Sequence, residues 1–334
     1  MDGADVMNGK CLSLVTIVAV ASMALAGCSS AAKTPEPVST VGQHTSATLP
    51  SRVSAAIATD HGPENFYVTK DGLYVGNHRG GTIQRIDLAN NRIASSIVVG
   101  GELELNELSG VGDVVWSCTN VDSVLHRIDL TTGTETLAVP AECEGGLRAL
   151  IDGRLWQSPG FNTHDILVLD GQTGKTLRRI PLDPNTWWGL PILVGSRVAI
   201  ATGNGVMLCQ LDGTSCDTVK VDAPTLVPVG GKLYSIPEDG TLAELDPTTF
   251  AVVKTIQVAP HHDTAIAVTA DDSGNLYYRS DYENLYRIDT ATGKVDKFLE
   301  MPWAEVNTDI DWAFGSLWVT NFNDDTVWRV NTSG

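Results

Sequence analysis

His261, His262 and Asp263 form the sharpest grouping of chemically useful side chains in the sequence. Imidazole titrates near neutral pH and binds divalent metals, so a histidine pair beside a carboxylate can hold a metal ion or exchange protons. Glu283 is an acidic candidate further along the chain. We name His261, His262 and Glu283 as candidate catalytic residues. A solvated histidine pair without a role is the open alternative.

Tryptophans and other histidines supply a second set of candidates. The adjacent Trp187 and Trp188 could stack on a sugar or an aromatic ligand, or could pack over the edge of a sheet. The candidate ligand- or partner-binding residues are His61, His78, His164, Trp187, Trp188, His261, His262, Asp263 and Trp303. The sequence contains no glycine-rich phosphate loop, nucleophile elbow or His-Glu-x-x-His motif.

A repeated pair of short strands positions these residues. In the last copy, residues 317–319 and 327–330, apolar except for Arg329, flank the polar stretch 321–325, whose composition favours a turn. Seven such units occur, each with a second strand that ends in Asp or Asn. The closing residues are Asp87, Asp129, Asp170, Asp212, Asp246, Asp289 and Asn331, spaced by about 42 residues except for one interval of 34.

A period near 42 residues accommodates four short strands and four turns, which make one propeller blade. The sequence therefore predicts an all-β, seven-bladed β-propeller. The last blade lacks an outer strand, and residues 52–58 resemble the outer-strand segment 92–98. We expect this N-terminal strand to complete the last blade, which would close the ring and remove an open sheet edge.

An aromatic residue recurs in the first strand of six of the seven units, and large rings dominate buried contact area. We therefore expect these rings to pack between neighbouring blades. They are Tyr74, Trp116, Trp156, Tyr234, Tyr277 and Trp318. The fourth unit has Ala199 at this position and precedes the short interval, which predicts a shortened blade there.

The candidate residues fall in loops that would share one face of the propeller. Loops between blades and loops between second and third strands lie at the same end, and loops commonly carry function. Five of the seven histidines occur there. The carboxylates in these loops are Glu102, Glu104, Glu107, Glu142, Glu144, Asp263 and Glu305. We expect a ligand or partner face at this end; the plain alternative is that polar residues simply collect in longer loops.

Residues 1–28 have the pattern of an export signal. An uncharged apolar run from Cys11 to Leu25 is short for a transmembrane helix and ends at Leu25-Ala26-Gly27-Cys28. This ending resembles a bacterial lipobox, in which the cysteine becomes the lipidated N-terminus. We expect Cys28 to carry lipid; a simple cleaved signal peptide is the alternative.

The rest of the chain divides into a tether and one domain. Residues 29–51 are rich in Ser, Thr, Ala and Pro and predict a disordered tether, and residues 52–334 form the propeller. A diacylated anchor would hold the protein on the extracytoplasmic side of a cell membrane. The formal net charge of −18 becomes −17 without residues 1–27, which argues against nucleic acid as a partner.

Four of the six cysteines would remain in the exported domain, in an oxidising location. Cys209 and Cys216 flank a turn sequence that would place them opposite each other. Cys118 ends a second strand, and Cys143 lies in a blade-to-blade loop on the same face. We predict disulfides 209–216 and 118–143. A zinc site is the alternative, although no Cys-x-x-Cys pair is present.

The repeat units resemble the YVTN-type repeat, on residues 317–321 with 325–331 and on residues 73–77 with 83–87. That repeat occurs in exported seven-bladed propellers and in the streptogramin B lyase group; gluconolactonase propellers are more distantly similar. Resemblance to the lyases implies opening of a macrocyclic ester by elimination, with Mg²⁺ held by a Glu and a Glu-x-His pair. This sequence has no Glu-x-His: Leu285 stands two residues after Glu283.

Two functional hypotheses follow. In the first, a non-enzymatic, membrane-anchored lipoprotein presents its loops to an envelope protein, a peptide or a glycan, and needs no cofactor. In the second, the same face belongs to a metal-dependent lyase or hydrolase that uses His261, His262, Asp263 and Glu283 with a divalent metal. We favour the first because the sequence gives a presenting surface without a complete catalytic constellation.

Overall fold

The computed structural model describes residues 49–100, 104–119, 122–143, 148–158, 164–183, 186, 188–235, 241–258, 267–279, 284–301 and 308–333. These residues form seven four-stranded sheets, each an antiparallel meander. The first strands of neighbouring sheets contact one another at six junctions, including that of the last and first sheets, and an apolar cluster joins the fourth and fifth sheets, so the ring is closed. The seven-bladed propeller predicted from the sequence is confirmed. Within these ranges, no helix has the length and hydropathy needed to cross a membrane.

Each blade contains its four strands in sequence order from the channel outward, except the last blade. The strands of the first half of the ring are β1 (Val53–Ala58, which belongs to blade 7); β2 (Pro63–Thr69), β3 (Gly72–Asn77), β4 (Thr82–Asp87) and β5 (Arg92–Val98) in blade 1; β6 (Ser109–Val111), β7 (Val114–Thr119), β8 (Val124–Asp129) and β9 (Thr134–Pro140) in blade 2; and β10 (Arg148–Ile151), β11 (Arg154–Gln157), β12 (Asp165–Asp170) and β13 (Thr176–Pro181) in blade 3.

The second half of the ring repeats this arrangement. Its strands are β14 (Ile192–Val194), β15 (Arg197–Thr202), β16 (Gly205–Gln210) and β17 (Cys216–Val219) in blade 4; β18 (Val227–Val229), β19 (Lys232–Ser235), β20 (Thr241–Leu245) and β21 (Val252–Gln257) in blade 5; β22 (Ala267–Ala270), β23 (Asn275–Arg279), β24 (Asn284–Asp289) and β25 (Val295–Glu300) in blade 6; and β26 (Ile310–Ala313), β27 (Ser316–Asn321) and β28 (Thr326–Val330) in blade 7.

Strand β1 completes blade 7, as the sequence predicts. It pairs antiparallel with β28, with Val53 opposite Val330 and Ala58 opposite Thr326. Ile57 of β1 is buried in a cluster that also contains residues of blades 7 and 1. The N-terminal strand therefore joins the two ends of the chain through both backbone pairing and apolar packing.

Apolar clusters fill the junctions between neighbouring blades. Tyr74 of blade 1 packs with Val115 and Ile128 of blade 2, and equivalent clusters occur at the other six junctions. The six aromatic residues predicted to lie between blades are all buried. A blade on its own would expose these faces to water, so the clusters make the ring a single unit.

Blade 4 keeps all four strands despite the short interval that follows its closing Asp212. The outer strand of blade 4 is short, since β17 has four residues against six or seven in the outer strands of the other blades. The prediction of a shortened blade is therefore correct for strand length, while the number of strands is unchanged.

Phe250 compensates for the missing aromatic ring of blade 4. In blade 2, Trp116 packs against Gly174 in a turn of blade 3, where a Cβ would lie 3.3 Å from the Trp116 ring. At the matching turn position of blade 5 the chain has Phe250, which is buried in the same cluster as Ala199. Phe250 has a φ of 59°, in the left-handed region that favours glycine. Burial of its ring offsets this backbone strain.

The residue that closes each third strand stabilises the turn that follows. A side-chain oxygen of Asp129 accepts the backbone N–H of Thr131 at 2.9 Å, and Asn331 accepts that of Ser333 at 3.0 Å. The same bond forms at Asp87, Asp170, Asp212, Asp246 and Asp289. Backbone N–H groups, that of Thr132 first, lower the pKa of Asp129. Turn formation therefore explains the repeated Asp.

Both predicted disulfides are present. Cys118 is bonded to Cys143, with Cα atoms 6.0 Å apart, and Cys209 is bonded to Cys216, with Cα atoms 4.0 Å apart. Cys209 and Cys216 lie directly opposite each other on β16 and β17. The first disulfide fixes the loop between blades 2 and 3, and the second pins a turn within blade 4.

We predict that Phe250 and Ala199 are energetically coupled. Phe250→Gly should lower the free energy of unfolding by about 2–4 kcal/mol, because the cavity costs more than the relieved strain returns. Ala199→Trp alone should cost about 1–3 kcal/mol through overpacking. The double variant recreates the Trp and Gly pair of blades 2 and 3, so it should be more stable than the sum of the two losses implies. Denaturant unfolding in a double-mutant cycle measures this; strictly additive losses would refute it.

Candidate functional site

The two ends of the propeller differ in the kind of connection they carry. Because every blade has an even number of antiparallel strands, all inner strands run in the same direction. Connections such as 59–62, 78–81 and 99–108 therefore lie at one end, which we call the loop face. Tight turns such as 70–71 and 112–113 lie at the other, which we call the turn face.

Three loops are joined by backbone hydrogen bonds on the loop face of blade 1. The N–H of His78 donates to the carbonyl oxygen of Gly62 at 2.7 Å, and that of Gly80 donates to His61 at 2.9 Å. The N–H of Leu105 donates to His78 at 2.9 Å. Two of the predicted face residues, His61 and His78, thus belong to one bonded patch.

His61 is an exposed imidazole held by a carboxylate of blade 7. Its Nδ1 lies 2.9 Å from Asp325 Oδ2, and the side chain is 66% exposed. The other Asp325 oxygen accepts the backbone N–H of Gly62 at 2.8 Å. The hydrogen bond with Asp325 raises the pKa of His61. The pair fixes the link between β1 and β2 and leaves the imidazole open to a partner.

His78 is more enclosed and bridges two acidic groups. Its Nδ1 lies 2.8 Å from the carbonyl oxygen of Leu105 and 3.2 Å from Glu64, and its Nε2 lies 3.7 Å from Glu104. Contact with Glu64 raises the pKa of His78, against the opposing effect of burial. His78 therefore connects the surface loops to the charged groups at the channel.

Inner strands begin with a set of charged residues around the channel. Glu64 lies in β2, Glu107 precedes β6, Arg148 begins β10 and Asp309 precedes β26. We call these four residues the polar arc; they span blades 7, 1, 2 and 3. The first strand of each blade is innermost, so the start of each inner strand lies at the loop-face end of the channel.

Part of the polar arc holds neighbouring blades together. Asp309 of blade 7 accepts the backbone N–H of Phe66 in blade 1 at 3.2 Å. Asn65 of blade 1 accepts that of Leu108 at 3.3 Å, and Ser109 of blade 2 accepts that of Leu150 at 3.0 Å. These bonds satisfy backbone N–H groups on the open inner edges of blades 1, 2 and 3.

Burial moves the pKa values of two carboxyl groups of the arc, those of Glu107 and Asp309, towards neutral pH. It raises the pKa of Glu107 to about 7, against the attraction of the Arg148 guanidinium, and Glu64 raises it further. Burial, followed by the charge of Asp311, raises the pKa of Asp309 to about 8. Burial lowers the pKa of Arg148 to about 10, so the guanidinium stays charged. Near neutral pH the arc holds exchangeable protons beside a fixed positive charge.

Three buried atoms of the arc have no hydrogen-bond partner; one of them, Glu64 Oε2, lies 3.2 Å from His78 Nδ1 in an ion pair, and the other two belong to Glu107 and Arg148. Arg148 is 2% exposed and donates from Nε to Gln157 at 3.3 Å and from Nη2 to the carbonyl oxygen of Cys143. Its Nη1 has no hydrogen-bond partner, and neither does Glu107 Oε2. Buried polar groups are usually satisfied, so a donor and an acceptor left over at neighbouring positions suit a polar group from outside the chain.

Sequence reasoning included Glu107 among the loop carboxylates but missed Arg148 and Asp309. Arg148 is the first residue of a strand and Asp309 directly precedes one, whereas the sequence-based prediction covers loop residues. The available signal was a charged residue within an apolar inner-strand segment, such as Arg148 before Ala149 and Leu150. A charged residue at this position in an inner strand lies next to the central channel.

Other predicted residues lie elsewhere on the ring. His164 is exposed before β12 in blade 3, and Trp188 is half-buried and pairs with Thr202 in blade 4. These two therefore lie on different blades from His61 and His78. The predicted residues outside the described ranges are Cys28, Glu102, Glu144, Trp187, His261, His262, Asp263, Glu283, Trp303 and Glu305.

The metal hypothesis remains a prediction. In the ranges that the structure describes, no three His, Cys, Asp or Glu side chains are placed to hold a metal ion. The residues proposed for metal binding, His261, His262, Asp263 and Glu283, lie outside those ranges.

A groove of about 520 Å³ runs along the side of the ring between blades 2 and 3. Leu167, Leu169 and Val139 contribute apolar walls. At its loop-face end Arg179 forms a two-pronged ion pair with Glu142, with one N–O distance of 2.9 Å. Because the two side chains neutralise each other's charge, the groove presents fewer free polar groups to a ligand than the arc does.

Comparison with known proteins agrees with the fold. A family model described as "Repeat of unknown function (DUF6923)" matches residues 36–178. No curated protein sequence matches the chain significantly. The YVTN-type resemblance stays a prediction.

Solved structures similar to this chain are β-propellers. The β-propeller domain of Myceliophteria thermophila Cps50 (Swd1) has a TM-score of 0.69 at 15% identity, over 84% of this chain and 99% of that one. Virginiamycin B lyase from Staphylococcus aureus has a TM-score of 0.67 at 14% identity, over 84% and 99%. BamB from Moraxella catarrhalis has a TM-score of 0.57 at 16% identity, over 83% and 99%. At these identities the similarity establishes the fold.

We predict that Asp309→Asn changes the pH dependence of stability. The folded protein keeps the Asp309 proton up to about pH 8, whereas an unperturbed carboxyl loses it near 3.8. The stabilisation of the folded state by the protonated Asp309 carboxyl is complete below the unfolded-state pKa, near 3.8. It is lost as the pH rises through the folded-state pKa of about 8. The melting temperature of the variant, relative to wild type, should therefore rise between about pH 4 and pH 8.

Asp87→Asn is the matched control for this measurement. Asp87 is on the surface of a turn, where the Asn90 side chain lowers its pKa. Its substitution should change the pH dependence only below about pH 4, where the carboxylate of wild type begins to lose its stabilising charge. A constant difference between Asp309→Asn and wild type across the pH range would contradict the assignment.

Proposed function

We propose that the protein is a lipoprotein, anchored on the extracytoplasmic side of a cell membrane, whose loop face binds a protein, a peptide or a glycan. The observation that carries the binding proposal is the unused hydrogen-bonding capacity of Glu107 and Arg148. The exposed imidazole of His61 and the cation of Arg79 add polar groups on the same face. The turn face, by contrast, consists mainly of short turns.

A surface of this composition suits a polar macromolecular ligand. Arg79 is exposed and stacks over the ring of Phe322 at 4.4 Å, which presents a guanidinium in a fixed position. Its neighbour His61 carries a raised pKa and gains a positive charge readily. On an otherwise acidic protein, these groups would meet the carboxylates or carbonyl oxygens of a peptide or glycan.

The anchoring half of the proposal is supported by the sequence. Residues 11–25 form an uncharged apolar run that leads to Cys28 through a lipobox-like ending. The Ser-, Thr- and Pro-rich segment that follows suits a tether between a lipid and a folded domain.

We expect Cys28→Ala to release the protein from the membrane fraction. Without the thiol no thioether to lipid can form, so the processed chain would lack its acyl anchor. Cell fractionation and intact-mass measurement of the purified protein check this. Cys11→Ala is the control, since Cys11 would leave with the signal. A wild-type chain without lipid mass would refute the anchor.

We expect Arg79→Glu to weaken partner capture and Lys70→Glu to leave it intact. Both substitutions reverse an exposed positive charge, on the loop face and the turn face respectively. Affinity capture from solubilised envelope, followed by quantitative mass spectrometry and binding of the purified partner, should show at least a tenfold loss for Arg79→Glu, about 1.4 kcal/mol. Equal capture by both variants would contradict a loop-face site.

The enzymatic alternative predicts a different outcome. A metal-dependent lyase or hydrolase should contain a divalent metal in stoichiometric amount after purification without chelator. His262→Ala should remove that metal. The same variant should still capture any partner that binds through Arg79. Stoichiometric metal without any captured partner would replace the binding proposal by this one.

A further inference from the structure

The chain enters the propeller at the turn face. Val53, the first residue of β1, lies opposite Val330, where β28 reaches the turn face. The N–H of Asn331 donates to the carbonyl oxygen of Arg52 at 2.8 Å, which fixes this point. The tether that precedes β1 is thus attached to the face opposite the polar arc.

Exposed apolar side chains concentrate at the same end. Within the described ranges, eight of the ten exposed large apolar residues lie at or beside the turn face; the exceptions are Val98 and Leu190. Val111 is 63% exposed and Leu193 is 50% exposed, both on inner strands near the channel. For a chain with a formal charge of −18, such a distribution indicates an interaction surface.

Phe314 is the most unusual of these residues. It occupies the turn between β26 and β27 with a φ of 51°, in the left-handed region, and is 41% exposed. Blades 2 and 3 have Gly112 and Asp152 with positive φ in the equivalent turns. A bulky ring in this conformation is strained, and unlike Phe250 it gains little burial within the fold. Phe314 also belongs to blade 7, the blade that the tether enters.

We propose that the turn face rests on the surface of a lipid bilayer, with Phe314, Val111 and Leu193 at the boundary between headgroups and acyl chains. This inference rests on the proposed lipid anchor. The tether ends on this face, so the anchor would hold these side chains at a high local concentration next to the membrane. The loop face would then point away from the membrane, towards a partner.

The charge of the chain specifies the kind of membrane. The mature chain has a formal charge of −17, so an anionic surface would repel it at low salt. Exposed cations of the turn face, such as Lys70, Arg92 and Lys294, are paired with the carboxylates of Asp71, Asp87 and Asp296, so apolar contact is the attraction that remains. The turn face should therefore approach a zwitterionic bilayer more closely than an anionic one.

The test places an environment-sensitive NBD probe on each face of the full mature, lipidated chain. Phe314→Cys carries the probe on the turn face, and Leu190→Cys is the matched control, since Leu190 is an exposed apolar residue of the loop face. Both proteins are reconstituted in phosphatidylcholine vesicles. The probe at position 314 should show a several-fold rise in emission and quenching by spin-labelled lipid, and the probe at position 190 should show neither. Phosphatidylglycerol in the vesicles should reduce the change.

The outcomes separate this inference from the proposed function. If the chain floats with the vesicles but both probes stay in a water-like environment, the anchor stands and membrane contact by the turn face is wrong. If the probe at 314 responds only after envelope proteins are added, the occupant is a protein and the lipid assignment is overturned. If a chain with intact Cys28 does not float, the anchor itself fails.

Discussion

The structure depends on the packing of each blade against its neighbours, because a sheet of four short strands cannot bury its faces alone. Apolar clusters occupy the seven junctions, and β1 completes blade 7 so that the last junction resembles the others. This constraint also explains the repeat in the sequence: every unit supplies a buried ring or its substitute. Where blade 4 has Ala199, blade 5 supplies Phe250 and accepts a strained backbone in return.

The same constraint shapes the candidate site. Inner strands have an open edge at the channel, and side chains such as Asp309 and Asn65 accept N–H groups of the next blade there. Polar residues are thus needed at the channel for the fold itself, and their burial moves the pKa values of Glu107 and Asp309 towards neutral pH. The arc becomes a candidate for binding because Glu107 and Arg148 retain atoms that the fold does not use.

In the proposed function, the two faces have separate roles. Because every blade has an even number of antiparallel strands, the long connections lie at one end of the ring and the tight turns lie at the other. The chain enters β1 at the turn face, where exposed apolar residues such as Phe314 and Val111 are found. The loop face, with His61 and the polar arc, lies opposite. A membrane-anchored binding protein needs this separation between attachment and recognition.

The sequence by itself determined the all-β propeller, the seven blades, the closing strand and both disulfides, because periodic aromatic and Asp positions and cysteine spacing record local pairing. It also identified His61, His78 and Glu107 as loop-face residues. The tertiary structure decided that Arg148 and Asp309 both come within electrostatic range of Glu107, since residues far apart in the chain are brought together only when the ring closes. It also decided that Phe250 fills the gap beside Ala199, and that β1 begins at the turn face. These facts depend on strand direction and on contacts between blades, which no local pattern encodes.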